Sequence, residues 1–288
     1  MNYESESNAG VADEVASSSD EAPAQPPELL VVVPTRNSGA TLERCLASIR
    51  EQSVPCTLVV VDNFSTDNTV EIAHRWADVT VSAGPERSRQ RNIGASSAPS
   101  TYVGFIDSDM EFTPGVLNEV LDAFAAGAAT VTVPELTIGT GYWANVSRFE
   151  RSFYQADSDI EAPRFFVTSD FLAIGGFDEE MTGAEDWDLG IRTESFGPRT
   201  RITGTILHDE GRVRIVELAK KKAYYAPGVL LFIKKHGAGA TLKRANRQWL
   251  LSPRMVTTPY GVGLLMMKGL QVVTMSWAIL KARRTPGQ

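Results

Sequence analysis

Three carboxylates stand close together where an apolar run of the sequence ends. The segment GFIDSDMEF places Asp107, Asp109 and Glu111 at alternate positions. Carboxylates at this spacing repel one another and resist full ionisation unless a cation lies between them. Their oxygen ligands suit a hard divalent ion such as Mg²⁺ or Mn²⁺, whereas zinc prefers histidine and cysteine. The segment therefore indicates either a metal site or a solvated turn after a strand.

Strand and helix patterns alternate through the first part of the chain. The apolar runs LLVVVP, TLVVVD and TYVGFID and the weaker VTVSA predict strands. Between them, apolar residues at helical spacing and cap-type residues predict helices. This alternation is typical of a parallel sheet with right-handed crossovers, in which ligands bind beyond the carboxyl ends of the strands. Asp62 and Asp107 both lie at such ends, which favours the metal site over the solvated turn.

Further elements are predicted beyond the acidic segment. Residues 114–126 have the pattern of a helix begun by proline, ATVTVPEL that of a strand, and GYWANVSRFERSFYQA that of a helix. A later amphipathic helix begins near Asp186, and its first turn contains three acidic residues within four positions. Attraction to the helix dipole is a sufficient reason for one or two acidic residues there, but hardly for three. The turn after the first strand reads PTRNSG, not GxGxxG, and the sequence contains no GxxxxGK[ST]. These motifs therefore disfavour a dinucleotide-binding Rossmann domain and a P-loop protein.

Charge divides the sequence into three parts. Residues 1–28 contain seven acids and no Lys or Arg, and with their Ser, Ala and Pro they predict a disordered acidic tail rather than a signal peptide. Residues 29–211, the predicted α/β domain, hold 27 acids against 13 bases, whereas residues 212–288 hold one acid against 15 bases. This basic helical extension is expected to face phosphates or an anionic membrane surface. Nucleic acid is not predicted, because no recognition motif accompanies the charge.

Apolar segments of the extension have basic flanks. VELAKKKAYYAPGVLLFIKKHG predicts a helix pair resting at a headgroup region. The segment Pro259–Leu280 is long enough to span a bilayer, but Lys268 and Gln271 near its middle favour an interfacial or re-entrant amphipathic helix. Basic residues from Lys281 onward are expected to anchor its end on the anionic cytoplasmic face. A dimer-forming or core-packing helix is the third possibility.

Cysteine and histidine usage favours a reducing compartment. The two cysteines, Cys45 and Cys56, indicate neither a disulfide framework nor a zinc site, and we interpret them as buried free thiols in the cytosol. His74 and His236 are interpreted as satisfied core or surface residues. The predicted location is cytoplasmic, peripheral on the cytoplasmic face of the membrane.

The order and spacing of the motifs resemble the family 2 glycosyltransferases of the GT-A fold, from about Leu29 to about Gly211. VVVPTRN is similar to the family's opening nucleotide contact, VVVDNFSTDNT to its second-strand motif, and DSD to its metal-binding Asp-x-Asp. GGFDEEMTGAEDWDLGIR is similar to the segment with the family's Glu-Asp pair, whose aspartate is the catalytic base. The resemblance implies an α/β fold of GT-A type: a mainly parallel nucleotide-binding sheet flanked by helices, with the basic helical extension added after it.

The resemblance implies a binding site for a nucleotide sugar, the donor. Thr35 and Asp62 are expected around the base, and Asn63 stands where many members have a second acid, so the contacts to the base are expected to differ. The arginines of ERSRQRN are expected to approach the donor, because arginine offers bidentate geometry to phosphate oxygens; solvated surface cations are the alternative. The predicted donor-binding residues are Pro34, Thr35, Arg36, Asp62, Asn63, Arg87, Arg91, Asn92 and Asp107.

The resemblance also implies a metal site for Mn²⁺ or Mg²⁺. Asp109, supported by Asp107, is the expected ligand, and a cation there would neutralise the charge that develops on a departing nucleoside diphosphate. Members of the family often place a histidine at the position of His208 as a further ligand, and an ordinary lone histidine is the alternative. The predicted metal ligands are therefore Asp107, Asp109 and His208.

Asp186 corresponds to the catalytic base of the family. It is expected to take the proton of an acceptor hydroxyl, and attack from the face opposite the leaving group would invert the anomeric centre. The predicted acceptor-binding residues are Glu185, Trp187 and Asp188. For Glu185 and Asp188 the alternative is that they fix the end of the helix.

The sequence thus predicts a metal-dependent inverting glycosyltransferase that moves a sugar to a glycan or lipid-linked hydroxyl. One alternative keeps the fold and takes a polyprenyl phosphate as acceptor. Because that acceptor is already ionised at neutral pH, Asp186→Asn would then be nearly harmless. Another alternative is a nucleotidyltransferase, which would release pyrophosphate from a nucleoside triphosphate. The last is a binding protein on the same scaffold, which would bind the donor without consuming it.

Overall fold

A computed structural model describes residues 28–157, 159–244 and 251–284, with side chains described as far as residue 280. The predicted acidic tail lies almost entirely outside these residues, as do the side chains of the basic residues after Leu280. Within them the fold is a large, mostly parallel sheet flanked by helices, a small second sheet, and a helical C-terminal extension. This confirms the predicted GT-A type fold.

The large sheet has its strands in the order β3-β2-β1-β4-β8-β6-β9. Its strands β1 to β4 are mutually parallel, whereas β8 runs antiparallel to both β4 and β6. The bounds are β1 Leu29–Thr35, β2 Cys56–Asp62, β3 Val79–Ser82, β4 Tyr102–Phe105, β6 Thr130–Thr132, β8 Phe165–Val167 and β9 Arg199–Arg201.

The small sheet has the order β5-β10-β7, and its bounds are β5 Met110–Phe112, β7 Glu135–Thr140 and β10 Ile206–Arg212. The sequence ATVTVPEL was predicted to be one strand, and that prediction was wrong, because β6 and β7 belong to different sheets. Pro134 lies between them and has no N–H to continue a ladder. Its carbonyl accepts a hydrogen bond from the Ile206 N–H at 2.8 Å, which begins the pairing of the small sheet.

Helices cover both faces of the large sheet. They are α1 Leu42–Arg50, α2 Thr69–Trp76, α3 Arg87–Ala95, α4 Val116–Ala125, α5 Tyr142–Arg151, α6 Thr168–Ala173 and α7 Glu185–Arg192. Alternate residues of β1 show the consequence: Val31 packs with α1 and α4, whereas Val32 packs against α3. Because strands buried on both faces need apolar residues at every position, the sequence reads as a continuous apolar run.

The extension consists of α8 Ile215–Arg244, which is kinked at Gly237, α9 Arg254–Thr257 and α10 Pro259–Arg284. Helix α10 packs against α5 and α8, and Leu264 and Met267 are buried in that contact. Gln271 is buried as well, and the Lys268 ammonium forms an ion pair with Glu150 of α5. The polar residues near the middle of α10 therefore face the protein, which bears out the core-packing possibility for this side of the helix.

The other side of α10 is apolar and exposed. Its exposed large side chains are Val262, Leu265, Met266, Val272, Val273, Trp277 and Leu280. By length and composition alone, Pro259–Leu280 would be able to cross a membrane, and 22% of it is buried in the structure.

Candidate active site

The carboxyl ends of β1, β2 and β4 open into a pocket of about 300 Å³, which we term the strand-end pocket. The parallel register places Thr35 beside Asp62, and Asp107 follows β4 at the same edge. Six of the predicted donor-binding residues line the pocket: Pro34, Thr35, Arg36, Asn63, Arg87 and Asp107. The other residues that line it are Ser38, Pro85, Glu86, Gln90, Ser108, Asp109, Thr182, Tyr224 and Tyr225.

The strand ends of β1 and β2 offer the pocket different groups. Asp62 is buried, and its carboxylate accepts hydrogen bonds from the backbone N–H and hydroxyl of Ser65, so it fixes the loop after β2. The Asn63 amide donates to the Pro85 carbonyl at 2.6 Å. The Thr35 hydroxyl is buried and has no hydrogen-bond partner among the described residues. The described part of the protein therefore leaves the hydrogen-bonding capacity of the Thr35 hydroxyl unused.

Arg91 joins two acids that lie far apart in the sequence. Its side chain is 1% exposed; Nη2 donates to Asp107 Oδ1 at 2.7 Å and Nη1 to Asp186 Oδ1 at 3.2 Å. Burial by itself raises the pKa of Asp107, but Arg91 and Arg87 outweigh it and hold that pKa well below its usual range. Arg91 therefore holds both carboxylates in position and keeps Asp107 charged.

Arg87 lies one helical turn before Arg91 and has a different environment. Its side chain is 39% exposed and lines the strand-end pocket. The guanidinium is 3.6 Å from Asp107 Oδ2 and 3.4 Å from Glu185 Oε1, and it donates to the Tyr225 hydroxyl at 3.1 Å. Because it is charged, accessible and part of the pocket wall, Arg87 can reach a phosphate in the strand-end pocket.

Glu185 is held at the beginning of α7. It is almost completely buried, it contacts Arg87 and Arg91, and its other oxygen accepts the backbone N–H of Gly183. Burial and the neighbouring Asp186 carboxylate raise the pKa of Glu185. These contacts match the alternative prediction, in which Glu185 fixes the end of the helix.

Asp109 and His208 form a pair on the rim of the small sheet. His208 Nε2 lies 3.3 Å from Asp109 Oδ2, and its other ring nitrogen lies 3.8 Å from Glu135 Oε2. Burial lowers the pKa of His208, but the two carboxylates outweigh it and raise that pKa to about 9. The pair places one carboxylate oxygen and one ring nitrogen beside each other, while the other ring nitrogen lies 3.4 Å from the Arg151 guanidinium.

The predicted third ligand, Asp107, has a different partner. It is bound by Arg91, and in the part of the chain that the structure describes no three His, Cys, Asp or Glu side chains form a metal-binding group. The structure thus brings Asp109 and His208 together, whereas Asp107 lines the same pocket as Asp109 but is paired with arginine.

Asp186 faces a second pocket of about 220 Å³, which we term the Asp186 pocket. Its carboxylate is 37% exposed, and Trp187 beside it lines the same pocket while its indole donates to the Ile160 carbonyl at 3.2 Å. The other lining residues are Val133, Glu135, Arg151, Tyr154, Gln155, Ile160, Glu161, Ala162 and Arg164. Asp186 is thus an accessible carboxylate whose orientation is fixed by Arg91.

Two predicted site residues have structural contacts instead. Asp188 is fully buried and binds Arg192, Lys235 and His236, so an acceptor cannot reach it and the predicted acceptor contact is not supported. Asn92 exchanges hydrogen bonds with the backbone of Phe177 and does not line the strand-end pocket. Both side chains hold the segment before and within α7 in place.

Several residues of the site were not predicted from the sequence. Arg164 and Glu135 line the Asp186 pocket as an ion pair. The sequence feature that could have indicated Arg164 is its position as a lone arginine directly before the apolar run FFV. Tyr224 and Tyr225 of α8 line the strand-end pocket, although the sequence favoured a membrane headgroup region for them. A helix from the extension therefore contributes to a site that the motifs placed wholly in the α/β domain.

This edge of the sheet, with an accessible arginine, clustered acids and a pocket beyond parallel strands, has the architecture of an α/β protein that binds phosphorylated ligands. The model of the family described as "Glycosyl transferase family 2" matches residues 30–178, just over half of the chain. The chain therefore belongs to glycosyl transferase family 2, as its motifs predicted.

Two curated relatives show how far the similarity extends. The chain is 27% identical over 233 residues to a pre-mycofactocin glycosyltransferase of Mycobacterium tuberculosis, which covers 73% of this chain and 48% of that protein. It is 25% identical over 240 residues to the succinoglycan biosynthesis protein ExoA of Rhizobium meliloti, covering 75% of this chain and 73% of that protein. The chain thus spans about half the length of the first relative.

A solved structure has the same fold. The mannosyltransferase PcManGT from Pyrobaculum calidifontis, in complex with GDP-Man and Mn²⁺, superposes with a TM-score of 0.57 at 19% identity. The match covers 90% of this chain and 85% of that one. It extends the shared fold beyond residues 30–178, the range of the family match.

Proposed function

We propose that the protein transfers a glycosyl group from a nucleotide sugar to an acceptor hydroxyl, with inversion at the anomeric carbon. The observation that carries this proposal is the Arg91 bridge between Asp107 in the strand-end pocket and Asp186 in the second pocket. One buried guanidinium thus keeps a donor-side acid and an accessible carboxylate next to each other. Transfer requires such an arrangement, because the leaving group and the base must act on opposite sides of one sugar.

The donor is proposed to bind in the strand-end pocket. The unpartnered Thr35 hydroxyl lies where the nucleoside is expected, and the accessible Arg87 guanidinium lies where the diphosphate is expected. PcManGT, which has this fold, was solved with a nucleoside diphosphate sugar. Arginine neutralises diphosphate charge without giving up a proton, so Arg87 would stabilise the leaving group as the bond to the sugar breaks.

A divalent cation, Mn²⁺ or Mg²⁺, fits the Asp109–His208 pair. The donor set of one carboxylate and one imidazole suits Mn²⁺ well, and Mg²⁺ commonly takes one or two protein ligands and completes its shell with phosphate oxygens and water. When bound, the cation would neutralise charge on the diphosphate. Nε2 of His208 must be deprotonated for this, and it faces Asp109 in the structure.

Asp186 is proposed as the general base. Its accessible carboxylate would take the proton of an acceptor hydroxyl that enters the Asp186 pocket, and Trp187 offers that acceptor an apolar wall. Arg91 orients the carboxylate by donating a hydrogen bond to it. Glu185 does not compete for the proton of the acceptor, because it is buried and bound to Gly183.

An acceptor that carries phosphate is a second candidate, and one observation favours it. Arg164 is buried in the wall of the Asp186 pocket, and its Nη1 has no hydrogen-bond partner in the described part of the chain. A polyprenyl phosphate would satisfy that group and would need no base, because it is already ionised at neutral pH. Arg164→Met would then abolish the use of such an acceptor while sparing hydrolysis of the donor.

The exposed side of α10 is proposed to rest on the cytoplasmic face of an anionic membrane. Large apolar side chains cover it, Lys268 on the opposite side is paired with Glu150, and the extension carries a strong positive charge. Val273→Glu combined with Trp277→Glu should abolish sedimentation with anionic vesicles. Leu172→Glu, at an exposed position of α6, is the control and should leave it unchanged. Equal sedimentation of both variants would contradict the proposal.

The activity is tested by incubating the purified chain with a panel of nucleotide sugars, with and without Mn²⁺ or Mg²⁺ and with membrane extract as a source of acceptors. We expect release of one nucleoside diphosphate that requires metal and is lost in Asp109→Ala. Release of pyrophosphate from a nucleoside triphosphate would instead indicate a nucleotidyltransferase. Binding of donor without consumption under every condition would indicate a binding protein.

A further inference from the structure

Two tyrosines of the C-terminal extension line the strand-end pocket. Tyr225 receives a hydrogen bond from Arg87 Nη2 at 3.1 Å, and the Arg87 guanidinium lies 5.8 Å from the centre of its ring. Tyr224 is 2.9 Å from a carboxylate oxygen of Glu86. Both rings lie on the pocket surface together with Asp107 and Thr35. The extension thus supplies one wall of the pocket.

The position of this wall is fixed by close packing. A Cβ on Gly183 would lie 2.4 Å from the Tyr225 Cβ, and a Cβ on Gly228 would lie 2.0 Å from the Thr182 carbonyl oxygen. Contacts this short leave room only for glycine, so the segment before α7 and helix α8 touch backbone to backbone. Further along α8, Lys235 and His236 bind the buried Asp188 carboxylate. Helix α8 is therefore anchored at Tyr225 and on the C-terminal side of the tyrosines.

The two hydroxyl groups differ in what they can still donate. An arginine only donates hydrogen bonds, so the Tyr225 oxygen accepts from Arg87 and its own O–H stays available. A carboxylate only accepts, so the O–H of Tyr224 is used by Glu86. Of the two, Tyr225 can therefore donate to an anionic oxygen beside Arg87.

We propose that Tyr225 is a donor-binding residue, whose hydroxyl donates to the diphosphate of the nucleotide sugar while its oxygen orients Arg87. This inference rests on the proposed function, and it makes the extension a part of the donor site. The Tyr224 ring shapes the pocket, but its hydroxyl is not used for binding. Such a role assigns a ligand contact to the region that the sequence had linked only to membranes or phosphates in general.

The test is calorimetric titration of the full chain with UDP, GDP, CDP and dTDP in the presence of Mn²⁺. For whichever nucleotide the wild type binds, Tyr225→Phe should weaken binding by about tenfold, because a hydrogen bond to a charged group is lost. Tyr224→Phe is the matched control and should bind within about twofold of the wild type. Equal affinity of Tyr225→Phe and the wild type, or equal losses in the two variants, would overturn the inference.

A second comparison separates a binding role from loosening of the helix. In an Arg87→Gln background the orientation of Arg87 no longer matters, so a direct hydrogen bond from Tyr225 predicts that Tyr225→Phe still weakens nucleotide binding by at least about threefold. The thermal unfolding midpoints of both tyrosine variants should stay close to that of the wild type. Loss of the Tyr225→Phe effect in the Arg87→Gln background, or a lowered midpoint for Tyr225→Phe alone, would contradict the proposed direct contact. If the wild type binds none of the four nucleotides, the proposed function itself fails, which is a distinct result.

Discussion

The two faces of helix α7 carry aspartates with opposite environments. Asp186 faces a pocket, is 37% exposed and is bound by one arginine, whereas Asp188 faces α8, is fully buried and is bound by Arg192, Lys235 and His236. The sequence places them two residues apart in EDWDLG, and only the family resemblance distinguished Asp186 from Asp188. The difference arises because α8 covers only the face of α7 that carries Asp188. Asp186 is therefore left accessible for chemistry, whereas Asp188 has structural contacts.

The largest expected effect on stability follows from replacing Arg91, the cation that binds Asp186. Arg91→Met would leave the buried acids around it without their charge partner, and breaking a buried ion pair in this way costs about 3–5 kcal/mol of unfolding free energy. Urea denaturation of Arg91→Met and the wild type measures this loss of unfolding free energy. Arg89→Met, at an exposed position of the same helix, is the control and should change stability by less than about 0.5 kcal/mol. Equal effects would show that the bridge does not stabilise the fold.

A smaller loss of stability is expected when Asp188, on the other face of α7, is replaced. Asp188→Asn keeps the shape of the side chain but removes the charge that binds Arg192, Lys235 and His236, and Lys235 is 35% exposed, so part of the effect is screened by solvent. We expect a loss of about 1–3 kcal/mol by urea denaturation at neutral pH. A loss below about 0.5 kcal/mol would mean that the Asp188 contacts do not anchor α8.

The Asp188 contribution should depend on pH. Burial raises the pKa of Asp188, but His236, Lys235 and Arg192 outweigh it and lower that pKa below its unfolded value. A depressed folded-state pKa gives stability that is present above the unfolded pKa of about 3.9 and is lost as the pH falls through the folded value. The difference in unfolding free energy between wild type and Asp188→Asn should therefore be constant above about pH 5 and shrink below about pH 4. A difference that is unchanged at about pH 3 would contradict the assignment.

The smallest effect on stability is expected for Asp186→Asn. Its carboxylate is partly solvated and shares Arg91 with Asp107, so the arginine keeps a buried partner when the charge is removed. The unfolding free energy should change by less than about 0.5 kcal/mol. A loss as large as that of Asp188→Asn would remove the contrast between the two faces of α7.

These contrasts show what the sequence was able to predict. The continuous apolar runs of β1 and β2 require cover on both faces, and an acid that follows such a strand must lie at its carboxyl end, so Asp107 was located correctly. The parallel order of the first strands and the family motifs followed from the same local patterns. Local patterns were sufficient there because neighbouring elements of this part of the fold follow each other in the sequence.

The remaining features depend on contacts between distant segments. Arg87 and Arg91 occupy similar positions one helical turn apart, and only the docking of α7 on α3 buries one and leaves the other accessible. The antiparallel insertion of β8 and the split of ATVTVPEL depend on pairing with strands far along the chain. The tyrosines of α8 reach the pocket because the extension folds back on it. No periodicity within a segment encodes which of its faces another segment will cover.

The central claim is that Asp186 acts as the base while the donor binds elsewhere. The most direct measurement compares Asp186→Asn with the wild type in two assays of the same preparations: calorimetric binding of the nucleoside diphosphate and the rate of sugar transfer to the acceptor. We predict unchanged binding and a transfer rate lowered by about 10²–10⁴-fold, as expected when a general base is lost. Transfer at the wild-type rate, with binding intact, would contradict the claim and indicate an acceptor that is already ionised.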